Sequence, residues 1–463
     1  MEKSRAEKKA DAIGISCLTF NEIRSIVLNS QHGSETVDQD AQAKALSFDQ
    51  FERRQNGVYE IKDMQSFTFD LYDAWNTQDN VVPITIRGCS NFQITCSKRI
   101  DFIRDDWDFK RLLLIDKCKD FHLHDIKIQG SRNPITINRC KKFKVEEITI
   151  KNSRGYGLSI LRSEAGSILK NNFINCLASG INIVGQAKDI YINECTIMGC
   201  QGLYNWDAGI NCMHCTPKIT LKEIPETSHE ASDLTEKIDT PHRIIIENTQ
   251  IYFCQSQGIY LEGAAQVAIN NCNIRDNNKE GICFDWGTMY CHLVNSQISR
   301  NGERKNYDKL KCDIDFVPSS YIDHEERHYC QLPGISIDNG LMNSIEHNEI
   351  TGNYGGGIKL VRSAIRNIIR FNTIAGNINK LQLFNESTYE FDKNPYWINE
   401  IKILNMGPGN LNEFDANKAH LDFIKPYGNT IYGNNFHASL RQSANLISMW
   451  DKAEVLKNNN ILM

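Results

Sequence analysis

The chain has 463 residues, 41% of them apolar and 24% charged, with a net charge of −5. This balance belongs to a soluble globular protein and supplies no global attraction to nucleic acid or an anionic membrane. No run of about 18 apolar residues occurs, which excludes a hydrophobic transmembrane helix.

The opening residues, MEKSRAEKKADAIGISCLTF, are charged and lack the apolar stretch of a secretory signal. Sixteen cysteines lie singly along the chain. The one close pair, Cys212 and Cys215 around His214, lacks the second pair that a zinc site needs. The cysteines read as small, half-buried residues of a reduced protein, which is expected in the cytoplasm. Residues 38–57 read as an amphipathic helix.

From residue 58 onward the dominant signal is a period. GLSILR at 157, GINIVG at 180, GINCMH at 209, GIYLEG at 258, GICFDW at 281, GISIDN at 334 and GIKLVR at 357 share one pattern. The steps 157 to 180, 258 to 281 and 334 to 357 are each 23 residues. A second series ends at Ile174, Ile197, Ile251, Ile274, Ile298, Ile350 and Ile374, mostly 23 or 24 apart between neighbours. Each period holds two or three short alternating strands separated by Gly and Asn turns, and helical periodicity is nearly absent. Strands this short bury a face only by stacking each period on the last. Asn248, Asn271, Asn295, Asn348 and Asn372 precede the second-series isoleucines. They read as turn residues that adopt left-handed geometry and bond nearby backbone or one another.

At these repeats the sequence resembles the right-handed parallel β-helix, or pectin-lyase-like, superfamily over roughly residues 58–436. The fold expected is all-β, a solenoid of coils about 23 residues long. The exposed edges of its first and last coils call for covers. The helix in 38–57 would cover one end and residues 437–456 the other. The domains expected are an N-terminal segment at 1–57, the β-helix at 58–436 and a C-terminal cap at 437–463. Insertions interrupt the coils at 216–241, 302–333 and 380–428.

Strand alternation fixes which residues face outward. One outward column reads Asn182, Asn211, Tyr260, Cys283, Ser336 and Lys359; the next reads Val184, Met213, Glu262, Asp285, Asp338 and Val361. Parallel strands stack about 4.8 Å apart, so Glu262, Asp285 and Asp338 would form one file of acids. Like charges so placed destabilise a fold, and they raise the pKa of at least one member. Such a file makes sense if one acid stays protonated while another ionises, or if a cation binds there.

The expected insertions at 216–241 and 302–333 flank this file, as walls or lids often do. Trp206, Trp286 and Tyr260 could offer faces on which sugar rings stack, with Asp207 beside Trp206. Lys359 and Arg362, one coil beyond Asp338, could hold an anionic substituent. His214, His324 and His328 are candidate proton carriers.

The leading expectation is a glycoside hydrolase acting on a polysaccharide or oligosaccharide. Asp285 would serve as acid, with Asp338 or Glu262 as base. The resemblance implies an inverting outcome. The Asp-Asp and His-Gly motifs of the superfamily's hydrolases do not occur in that order here. A second possibility is a lyase or uronate C5-epimerase in which Glu262, Asp285 and Asp338 bind Ca²⁺. A third is a non-catalytic glycan-binding or structural coil. The partner in each enzymatic case is a glycan, and the hydrolase needs no cofactor.

Overall fold

The short alternating segments form strands, and each pairs in parallel with its counterpart one period along the chain. The computed structural model describes residues 15–31, 44–47, 50, 52–53, 58–75, 83–102, 111–202, 207–214, 240–302, 332–338, 340–361, 364–377, 383–385, 390–392, 401–404, 428–436, 447–449 and 459–462. Two compact units result, Met1–Gln250 with Ala264–Ala268, and Ile251–Gly263 with Ile269–Met463.

In the first unit one sheet stacks a phenylalanine on each of four successive strands. Phe67, Phe92, Phe121 and Phe143 pair in register, with ring centroids 4.8, 5.0 and 5.6 Å apart. The same file reaches Gly166, where a Cβ would meet the Phe143 ring at 2.1 Å. The expected helix lies elsewhere than 38–57. Lys44–Ala45 and Glu52–Arg53 are strands, whereas Phe20–Gln31 is helical. A capping box starts that helix: Thr19 Oγ1 accepts from the Glu22 amide at 3.3 Å, and Glu22 Oε2 accepts from the Thr19 amide at 2.7 Å.

The helix does not cover the end of the stack. Its Ile23 and Val27 are buried against Ile245 and Ala268, and Arg24 pairs with Glu247 at 2.9 Å. Gln31 donates to the Asp189 carbonyl and accepts from Ser167. The cause is local: Ser167, Tyr191 and Ile245 form an outward column that ends in an apolar residue needing burial.

In the second unit one sheet runs Gln257–Glu262, Ile282–Asp285, Ile335–Asp338, Ile358–Val361, Ile401–Leu404 and Ile447–Met449. Ile259, Leu261, Ile282, Phe284, Ile335, Ile337, Ile358 and Leu360 are fully buried, as alternation requires. The repeated glycine before each of these strands has a steric cause. A Cβ at Gly258 would meet the Gly281 carbonyl at 2.6 Å, and one at Gly281 would meet the Gly334 carbonyl at 2.9 Å.

The outer parts of the expected domain plan need revision. Ile401–Leu404 falls within the third expected insertion, yet it pairs in register with Ile358–Val361 as a further rung. In the expected C-terminal cap, Ile447–Met449 and Asn460–Leu462 are rungs as well. The remainder of 437–456 and nearly all of 216–241 and 302–333 lie outside the described residues.

The asparagines divide into two roles that the sequence ran together. Asn248, Asn271 and Asn295 take left-handed turns, with φ of 50°, 51° and 49°. Asn348 and Asn372 instead belong to a buried ladder that continues to Asn434. Two more ladders are Asn277–Asn301–Asn353–Asn377 and Asn343–Asn367–Asn429–Asn459. Each amide bonds backbone on neighbouring coils: Asn301 Nδ2 donates to the Ile274 carbonyl at 3.0 Å, and its Oδ1 accepts from the Asn277 amide at 3.2 Å. In the first unit thiols fill one such corner, where the amides of Cys89 and Cys118 donate to Cys118 and Cys140 sulfurs at 3.4 Å. The described cysteines are free thiols, all but Cys17 buried.

Asn301→Ala strands a buried amide and a buried carbonyl, and should cost about 3 kcal/mol. Urea unfolding with an unchanged slope checks this; a loss of a few tenths would contradict it.

Candidate functional site

The second unit sets the three expected acids on one sheet face. Glu262 is opposite Asp285, and the pairing of Phe284 with Ile337 carries the same register to Asp285 and Asp338. Asp338 is opposite Val361. All three side chains are half-buried. The adjoining outward column, Tyr260, Cys283 and Ser336, is nearly closed to solvent, and Lys359 continues it half-buried.

At the centre of the file a phenol holds one carboxyl: Tyr260 Oη donates to Asp285 Oδ2 at 3.0 Å. Asp285 Oδ1 accepts the Trp286 amide at 2.7 Å. Burial, reinforced by the charges of Asp285 and Glu262, keeps the phenol protonated far into alkali. Burial likewise raises the Glu262 carboxyl above the ordinary carboxylate range, against the Tyr260 hydrogen bond, which lowers it. The two acids therefore sit in different surroundings. Burial holds the Glu262 proton more tightly than usual, while Asp285 accepts two hydrogen bonds.

Trp286 stands 44% exposed beside the file, with φ of 46°. The matching turn position one coil earlier is Gly263, whose amide bonds the Asp285 carbonyl. A bulky residue in left-handed geometry costs conformational energy, which the surroundings of Trp286 sustain. Thr288 helps, its hydroxyl donating to the Asp285 and Leu261 carbonyls at 2.6 and 2.8 Å.

Of the other expected members, Asp207 and His214 fall in the first unit, where Asp207 is fully buried and accepts from Ser179 Oγ at 3.4 Å and His214 is half-buried. Trp206, Arg362, His324 and His328 lie outside the described residues. An all-oxygen donor set of Glu262, Asp285 and Asp338 would suit calcium in kind. Among the described residues, however, no three His, Cys, Asp or Glu side chains come together as a metal-holding group.

Sequence reasoning missed Glu280. It sits in the turn before Ile282–Asp285, is 8% exposed, and lies within electrostatic reach of Lys359 and Asp338. In sequence it is one polar residue among Asn277, Asn278 and Lys279, with nothing to distinguish it from a solvated turn.

A family model described as right handed beta helix region matches residues 111–298 and 237–395. No curated protein matches the chain. Among solved structures the chain is similar to the A-module of a mannuronan C-5 epimerase of Azotobacter vinelandii, at 12% identity over 70% of this chain and 89% of that one, with a TM-score of 0.39. It is also similar to a mutant periplasmic alginate epimerase, at 11% identity over 88% and 85%, with a TM-score of 0.45. An exopolygalacturonase from Thermotoga maritima matches at 10% identity over 77% and 91%, with a TM-score of 0.39.

The folded protein holds the Glu262 proton more tightly than the unfolded chain does. The stability this carboxyl contributes is complete below the ordinary carboxylate pKa and is lost as pH rises through its elevated value. In a carbon-13 carboxyl titration Glu262 should titrate above the ordinary range. Titration at the ordinary carboxylate value would contradict this.

Proposed function

From the premise that this chain belongs to the right-handed β-helix family, we propose that its second unit is a glycoside hydrolase acting on a polysaccharide or oligosaccharide. The observation that carries this reading is the in-register pair of Glu262 and Asp285, with the Tyr260 hydroxyl donating to Asp285. Glycoside hydrolysis needs one carboxyl that gives a proton and another that acts as nucleophile or base. Neighbouring carboxyls in unlike surroundings divide the labour in that way.

Glu262 gives its proton to the glycosidic oxygen as the bond to the anomeric carbon breaks. Asp285, held by the Tyr260 hydroxyl and the Trp286 amide, attacks that carbon and forms a glycosyl ester. Glu262, now a carboxylate, takes a proton from water, which displaces Asp285 and restores both groups. Neighbouring rungs about 4.8 Å apart support this retaining course, because retention uses carboxyls about 5–5.5 Å apart. The inversion implied by the family resemblance would move the base role to Asp338, two rungs from Glu262. The exposed face of Trp286 stacks on a sugar ring next to the scissile bond. Lys359 supplies positive charge one rung past Asp338.

On a glycan that the protein cleaves, Glu262→Gln and Asp285→Asn should each lower kcat at least about a hundredfold. Proton NMR of the first product anomer should show retention. Initial inversion would transfer the base role to Asp338. Unchanged turnover in both variants would remove the hydrolase reading.

A further inference from the structure

Glu280 is a side chain near the acid file whose chemistry the proposed mechanism leaves unused. Its backbone is fixed, since its carbonyl accepts the Gly258 amide at 3.0 Å and ties the turn to the preceding coil. The residue is more than nine-tenths buried, and Oε2 has no hydrogen-bond partner among the described residues. Buried polar atoms in native proteins are bonded with few exceptions, and an exception calls for an explanation. The charged and titratable groups that act on Glu280 are Lys279 on its own turn, Lys359 and Asp338 on the two following rungs, and Cys283 on the strand it leads into.

We propose that Glu280 is a ligand-binding residue of this site, its Oε2 meeting a neutral hydroxyl of the bound glycan. The assignment rests on the glycan reading above and adds a contact to it. Burial favours the uncharged acid, and the nearby Asp338 charge favours it further, while a hydrogen bond from its own backbone amide and the charges of Lys279 and Lys359 work against it. A carboxylic acid donates one hydrogen bond, whereas the carboxylate of Asp338 accepts. A sugar hydroxyl can serve both, accepting from Glu280 and donating toward Asp338. A carboxylate on the ligand would face the charge of Asp338 instead. The orphaned oxygen is therefore a feature of the free protein that the ligand completes, at a cost in stability of the kind binding sites carry.

The test uses the full chain and two variants, Glu280→Met and Glu280→Gln, each in the Asp285→Asn background so that binding is read without turnover. The probes are tetrasaccharides of neutral hexoses and their mono-deoxy analogues. Glu280→Met should melt at or above the parent, because it removes an unbonded buried oxygen. It should bind the parent sugar about tenfold more weakly, and no better than it binds one of the deoxy analogues. Glu280→Gln, which keeps an N–H donor, should bind within about threefold of the parent. The proposal is overturned if Glu280→Met melts below the parent, binds as tightly, or if no tetrasaccharide binds. Failure of the hydrolase reading is separate: there Asp285→Asn would keep its turnover while the Glu280 variants still lost affinity.

Discussion

Parallel, in-register stacking of coils is the constraint from which the rest of the molecule follows. A coil that repeats on its neighbour places like over like: Phe67 over Phe92, Asn301 over Asn353, Glu262 over Asp285. For apolar residues this repetition is favourable, since each ring or isoleucine finds the same partner on both sides. For polar corners it works when a side chain can donate and accept at once. Asn does so in both directions, and therefore fills three ladders in the second unit. Cys and Ser do so more weakly, as at Cys118, Cys140 and Ser163.

Acids are the group for which like over like is costly, and the chain handles them in two ways. In the first unit Asp116 is surrounded by donors: Arg139 at 2.7 Å, Arg87 at 3.1 Å and the Asn138 amide at 2.9 Å. That carboxylate is held in a closed network. In the second unit the donors shown for Asp285 are a phenol and a backbone amide, and Glu262 responds to burial by holding its proton. A phenol and a backbone amide leave Asp285 chemically available where a guanidinium clamp would have neutralised it.

The sequence made the coils and the acid file legible because both are periodic. Gly258, Gly281 and Gly334 mark a carbonyl approach that admits no side chain, so the repeat is written directly in residue type. Alternation from those glycines placed Glu262, Asp285 and Asp338 on one face, because a strand leaves only two choices of side. Aperiodic features were not readable in this way. The helix at Phe20–Gln31 is placed by a capping box and by a docking surface, Ile245 and Ala268, more than two hundred residues downstream. Asn348 and Asn372 looked equivalent to Asn248, Asn271 and Asn295, yet they sit one position along the corner and take the ladder role. Glu280 precedes the periodic strand, and its burial comes from packing that no local pattern encodes. Asp207 drew notice through its neighbour Trp206, yet it is fully buried and accepts from Ser179.

The account stands on Glu262 and Asp285 being lateral neighbours on successive rungs, and proximity can be measured by cross-linking. Glu262→Cys with Asp285→Cys places two thiols on strands about 4.8 Å apart, within the reach of a disulfide. Glu262→Cys with Asp338→Cys spans about twice that, beyond the roughly 7 Å limit. Under mild oxidation, peptide mass mapping should find the 262–285 cross-link and no 262–338 cross-link. Failure of the first pair to join, or equal joining of both, would contradict the file of acids and with it the proposed chemistry.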